Sequence, residues 1–112
     1  SDMDLMNFEL VEVNNMKIEN SSLIGANLKS AKFSNSKIIN TNMEGTVLTD
    51  AKITNTDLIS VNLKGANLEN ATLSNVDLTN SNLEQVNIIN LKLEGVIFCN
   101  TVMPSGIIND QC

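Results

Sequence analysis

Histidine, tryptophan, tryosine's phenol in any form, and arginine are all missing from this 112-residue chain, and proline occurs once, at Pro104. Without His or Tyr the usual general bases and proton shuttles are gone. The carboxylates Glu44, Glu69, Glu84 and Glu94 fall on different positions among Lys and Asn. Catalysis needs titratable groups that converge, so the chain reads as a non-enzyme without a cofactor. Seven Lys stand against 13 Asp plus Glu, a net charge of −6. An acidic balance with no Arg argues against direct nucleic-acid binding, which relies on clustered cations. No apolar run approaches the ~20 residues that span a bilayer, and no charged-plus-apolar leader of the signal-peptide kind opens the chain. Two cysteines alone cannot supply the four ligands of a structural zinc site. Three Phe are the only aromatic residues, so a core must come from aliphatic side chains of uniform size, which points to repetition.

What is present is a period of five. Every fifth residue from Met3, through Phe8, Val13, Ile18 and Leu23, to Phe98 and Met103 is apolar, 21 positions without an insertion or deletion. Neither ordinary element accommodates that step. Five residues turn an α-helix by about 500°, so successive apolar groups would drift around the cylinder. In a flat strand an odd step sends every second one to the opposite face. The conflict disappears if the chain turns a corner once per repeat and each central residue points inward from one short side of a coil.

A second row supports this geometry. Two residues before the central positions lie Ala26, Ala31, Ser36, Thr41, Thr46, Ala51, Thr56 and Val61, continuing to Ser81, all small or β-branched. Positions two apart share a face, so this row also points inward. The other positions are mostly Asn, Lys, Glu, Asp, Ser, Thr and Gly, as solvent-facing corners require. Gly25, Gly45 and Gly65 recur at a spacing of 20, as do Asn15, Asn35, Asn55 and Asn75. Residue i stacks on residue i+20 if each coil has four sides. The 19 Asn suit corners, where the side chain bonds its own backbone and tolerates tight turns. Asn20-Ser21-Ser22 and Asn70-Ala71-Thr72 match the glycosylation acceptor pattern, a coincidence in so Asn-rich a chain.

Ala26-Asn27-Leu28 and Ala66-Asn67-Leu68, with the relaxed forms Thr56-Asp57-Leu58 and Val76-Asp77-Leu78, resemble the A(D/N)LXX unit of the pentapeptide-repeat family. The resemblance implies an all-β, right-handed quadrilateral β-helix of about five coils, with the solenoid over residues 1–103 and a capping tail over 104–112. At ~4.8 Å per coil its length is on the order of 25 Å. The tail from Phe98 to Cys112 is similar to the closing segment of periplasmic and thylakoid-lumen members, in which cysteines can form a disulfide bracket. Cys99 and Cys112 are the candidate pair here. A bridge favours an oxidising compartment such as lumen or periplasm, whereas two free thiols would fit the cytoplasm.

The ends of a solenoid expose apolar cross-section and unpaired strand edges. Met6, Val11 and Met16 enlarge the small inward row at the start of the chain, and Leu5 and Leu10 occupy positions that are polar elsewhere. Local widening of the core is one reading. The other is docking onto a cap, a domain or a second subunit, which includes end-to-end self-association through the N-terminal coil. Asp57 and Asp77 stack one coil apart and could hold a cation, but Lys17 and Lys37 continue that column as a mixed-charge ladder, so no metal is expected. Apolar residues on outward positions form two candidate interaction surfaces, Ile39 with Ile59, and Ile97 with Val102 and Ile107. The chain therefore reads as a non-catalytic structural or interaction module with an unidentified protein partner. The alternative is an acidic DNA-mimic acting on an enzyme such as gyrase, as in the quinolone-resistance members that this family includes.

Overall fold

The computed structural model describes residues 2–109, none of them helical. Ten three-residue strands follow one another: β1 (Glu12–Asn14), β2 (Lys17–Glu19), β3 (Lys32–Ser34), β4 (Lys37–Ile39), β5 (Lys52–Thr54), β6 (Asp57–Ile59), β7 (Thr72–Ser74), β8 (Lys92–Glu94), β9 (Thr101–Met103) and β10 (Gly106–Ile108). β1, β3, β5, β7 and β8 stack in parallel as one side of the coil, and β2, β4 and β6 as the next. The register is 20 throughout, as in Val13 against Phe33 and Lys37 against Asp57. The other two sides pair through single bridges at the same spacing, Ser22 to Asn42 to Asn62 to Asn82 on one and Asn27 to Val47 to Asn67 to Asn87 on the other. The chain is thus a right-handed, four-sided β-helix. Its extents are 33 × 26 × 21 Å, so it is nearly as wide as it is long.

The corners explain the Asn content. Every residue at a multiple of five, from Leu5 to Asn100, has φ between 50° and 72°. Ten of these are Asn and four are Gly. The left-handed region costs an L-residue a clash between Cβ and the backbone, least for Gly and then for Asn or Asp. A second group of Asn does something else. On the two bridge sides the residue before the central one is usually Asn, and its Oδ1 accepts the amide two residues on. Examples are Asn27 from Lys29, Asn62 from Lys64 and Asn67 from Glu69, each 3.0 Å. That bond accompanies a β-turn in which the Ala31 amide donates to the Leu28 carbonyl at 3.0 Å and Ala66 to Leu63 at 2.9 Å. A left-handed third residue is what a type II turn requires.

Where that preceding position carries Glu12, Lys32, Lys52, Thr72 or Lys92, no Asx carbonyl competes for the backbone and three-residue strands run instead. Asp77 switches its side to the turn form, accepting from Thr79 N–H at 3.0 Å, while Asp57 stays within β6.

Central residues from Leu23 to Leu83 are buried, together with Ala26, Ala31, Ala51, Ala66 and Ala71 of the small row. The buried hydroxyls of that row return their protons to the backbone, Ser36 to Ser34 O at 2.9 Å, Thr41 to Ile39 O at 3.0 Å and Thr46 to Met43 O at 3.0 Å. No buried side-chain polar atom among the described residues lacks a partner, which satisfies the requirement on polar groups taken out of water.

Candidate interaction surfaces

The solenoid course ends at a turn. Pro104 and Ser105 reverse the chain, and β10 pairs antiparallel with β9, Ile107 opposite Val102. Pro104 has no amide to offer a further ladder. Gly106, on the inward small row by count, lies exposed with φ 129°, because the reversal breaks the register. The Asn100 amide is taken by Asn109 Oδ1, and Thr101 Oγ1, fully buried, donates to Leu78 O at 2.7 Å. The hairpin leaves part of the last coil open, with Ile88 47% and Leu93 42% exposed.

The outward apolar residues are only partly gathered. Ile39 and Ile59 face each other on β4 and β6, half-buried. Val102 and Ile107 pair across the hairpin, and Ile97 stands on a different side of the coil, bridged to Asp77. Cys99 follows Phe98 on that same side, whereas Cys112 lies outside the described residues. Asp57 and Asp77 are bridge partners, with Lys37 on the other flank of Asp57 and Lys17 beyond it. Asp77 is engaged by both the amide and the hydroxyl of Thr79. No group of three or more metal-ligating side chains occurs among the described residues, and no helix there is long and apolar enough to cross a membrane.

The larger apolar exposure is at the ends. Of the ten large hydrophobic residues that are exposed, nine lie in the first coil or after residue 85, and Ile24 is the exception. At the N-terminal end Met3, Phe8, Val11, Val13, Met16 and Ile18 open around a cavity of about 180 Å³ that reaches Phe33 and has no polar lining residue. Leu5 and Leu10 stand on outward corners of the first coil and do not line the cavity, 80% and 68% exposed. The carboxylates of the first coil are Asp2, Asp4, Glu9, Glu12 and Glu19, against one cation, Lys17. Lys17 Nζ reaches Glu19 at 3.5 Å, an exposed pair of small energetic weight. Sequence reasoning singled out Leu5 and Leu10 as apolar intruders. It counted Ile88 and Leu93 in the inward central row, which their exposure corrects because the stack stops short of covering them, and it passed over Ile89, which breaks the polar outward pattern in the same way as Ile39.

A sequence profile described as a pentapeptide repeat region matches residues 12–88. Among solved structures, the chain is similar to a pentapeptide repeat protein (Rfr23) from the cyanobacterium Cyanothece 51142, with 24% identity over 91% of this chain and 90% of that one, at a TM-score of 0.73. It is also similar to HetL, a pentapeptide repeat protein involved in heterocyst differentiation regulation from the cyanobacterium Nostoc sp. strain PCC 7120. There the identity is 17%, the TM-score 0.74, and the match covers 96% of this chain and 62% of HetL. A pentapeptide repeat protein from the Arabidopsis thaliana thylakoid lumen gives a weaker likeness, with 24% identity over 97% of this chain and 69% of that one and a TM-score of 0.43. No curated protein is similar enough to the chain to count as a relative.

Proposed function

The chain belongs to the pentapeptide-repeat family, and on that premise we propose that it is a non-catalytic interaction module that engages a protein partner through the ends of its solenoid. The observation that carries this reading is the segregation of exposed apolar residues to the first coil and to the stretch after residue 85. Concentrated apolar exposure marks contact sites more often than scattered single residues do. The sides offer less. The Ile39–Ile59 pair is half-buried, and charge along the columns is mixed, with Lys17 and Lys37 stacked on Asp57 and Asp77 and with Lys32 beside Lys52. A DNA-mimic would want an unbroken acidic column, and these lysines interrupt it.

Photo-crosslinkers placed singly at positions 5, 10, 89 and 93, and at side positions 34, 54, 62 and 79, test the reading in an extract of the source cells. Partner adducts confined to the end positions support it. Adducts formed only from the side positions overturn it. The bracket between Cys99 and Cys112 belongs to the same proposal, since it would fasten the tail and suit a lumenal or periplasmic setting. Iodoacetamide treatment of protein purified without reductant, followed by intact mass, tests the bracket. No alkylation supports it, and two alkylations point to the cytoplasm.

A further inference from the structure

We propose that the side formed by β2, β4 and β6 is a two-fold contact between two copies of this chain, with the solenoids antiparallel. The proposal goes beyond the end-acting reading, since such a dimer leaves both ends of each solenoid uncovered. Its first support is the order of charge. Lys17, Lys37, Asp57 and Asp77 form one outward column, each in register with the next. Within a single chain that order is poor. Lys17 lies beside Lys37 and Asp57 beside Asp77, and like charges set directly opposite are destabilising. None of the four is buried, and the one ion pair among the described residues runs from Lys17 to Glu19. Both bonds from Thr79 go to Asp77 Oδ1, which leaves Oδ2 to meet a cation.

The second support is symmetry. A two-fold contact requires one patch to complement itself. An axis parallel to the strands, midway between β4 and β6, sets position 37 opposite 57 and position 17 opposite 77. Every lysine of the column then meets an aspartate of the second copy. An axis along the solenoid would instead set Lys37 against Ile39 and Asp57 against Ile59. That arrangement desolvates charge without a partner, which is costly, so the antiparallel form is the one the column selects.

The third support is the apolar pair. The same axis brings Ile39 of each copy against Ile59 of the other, at the centre of the contact, with Glu19 opposite Thr79 at its rim. Sheets packed face to face stand about 10 Å apart, within reach of a Lys–Asp pair. The corners bounding this side carry no charge that would blur the pattern. They are Asn15, Asn35, Asn55 and Asn75 on one flank, and Asn20, Asn40, Ser60 and Asn80 on the other. Four coils at ~4.8 Å make a small face, below the size of a permanent interface. The expected dissociation constant is therefore on the order of 100 µM.

Sedimentation velocity over a concentration series tests the dimer, and amide NMR over the same series maps the contact. Wild-type protein should move toward twice the chain mass, with shifts centred on residues 17–19, 37–39, 57–59 and 77–79. Asp57→Lys should weaken the dimer at least about tenfold, because it sets lysine against Lys37 of the second copy. Lys37→Asp should do the same by setting aspartate against Asp57. The two substitutions together should restore the wild-type constant within about threefold, since each pair is re-formed with its signs exchanged. Asp57→Lys also lowers the net negative charge, so relief of general repulsion would give the opposite result.

A protein that stays monomeric at about 1 mM overturns the proposal. So does a dimer indifferent to the single substitutions, or a combined variant that melts like wild type yet stays apart. Concentration-dependent shifts confined to residues 3–13 or 86–108 would also overturn it, since they place the contact at an end. The wild-type map does not depend on any variant folding. The end-acting reading stands or falls separately, on adducts with a different protein, because an adduct between two copies from position 79 is recognised by its doubled chain mass.

Discussion

Substitution of Asn70 and Asn67 separates the two tasks that Asn performs in this fold. Asn70 is an exposed corner with φ 61°, its amide donating to Ile89 O at 2.9 Å. The demand there is on the backbone. Asn70→Ala should cost about 1 kcal/mol and Asn70→Val about 2, since a β-branched residue is a true outlier in the left-handed region. Asn70→Gly should lie close to wild type, because its freedom in the folded state offsets its greater freedom when unfolded.

At Asn67 the demand is on the side chain, whose Oδ1 holds the Glu69 amide at 3.0 Å. There Ala and Gly should both lose about 1 kcal/mol, and Asp should retain most of the stability. With an unfolding entropy of ~2 cal/mol/K per residue, 1 kcal/mol corresponds to about 4 °C in a chain of this length. Melts followed by far-UV circular dichroism suit a protein without Trp or Tyr. The expected order is Gly near wild type, Ala about 4 °C lower and Val about 8 °C lower at position 70, with no rescue by Gly at position 67. If Gly restored position 67, or if Val matched Ala at position 70, the assignment of backbone and side-chain roles would be wrong.

Three further outcomes follow from burial. Leu58→Ala, at a central position 1% exposed, should cost about 3 kcal/mol, whereas Ile88→Ala, at an equivalent position left open, should cost less than about 1; urea midpoints compare them. Ala66→Leu enlarges the small inward row at a site 1% exposed and should destabilise by about 1 to 3 kcal/mol through overpacking, a loss that the same denaturation would register. Thr101→Val removes the donor to Leu78 O and the acceptor for the Cys99 amide. It should cost about 1 to 2 kcal/mol, with faster hydrogen exchange around β9 as the local readout.

The period of five was open to reading because each repeat poses the same steric problem. Met3 to Met103 repeat one inward role and Ala26 to Ser81 another, so the four-sided coil could be inferred before any coordinates. The difference between strand sides and turn sides was also written in the chain, as Lys or Thr against Asn before the central residue. It needed the Asx bonds of Asn62 and Asn67 to become visible. Periodicity carries no information about where stacking stops. Ile88 and Leu93 have the same sequence character as Leu28 and Phe33, yet they are exposed because no coil covers them. Gly106 keeps its place in the count but loses its role once Pro104 turns the chain. The candidate surfaces suffered similarly. Ile39 and Ile59 are joined by the 20-residue register, while Ile97 and Val102, close in sequence, are sent to different sides by the corner between them.

The fixed register of 20 also limits how such a chain can change length. Removing residues 41–60 would join one left-handed corner, Asn40, to the residue that normally follows another, Ser60. Every later side chain would keep its compass direction, and only the height of the stack would fall. Removing five residues would instead rotate everything downstream by a quarter turn, setting strand-forming sides over turn-forming ones and lysine columns over asparagine columns. Growth and loss in this architecture are therefore expected in whole storeys, and a face that has acquired a partner is preserved only by steps of that size.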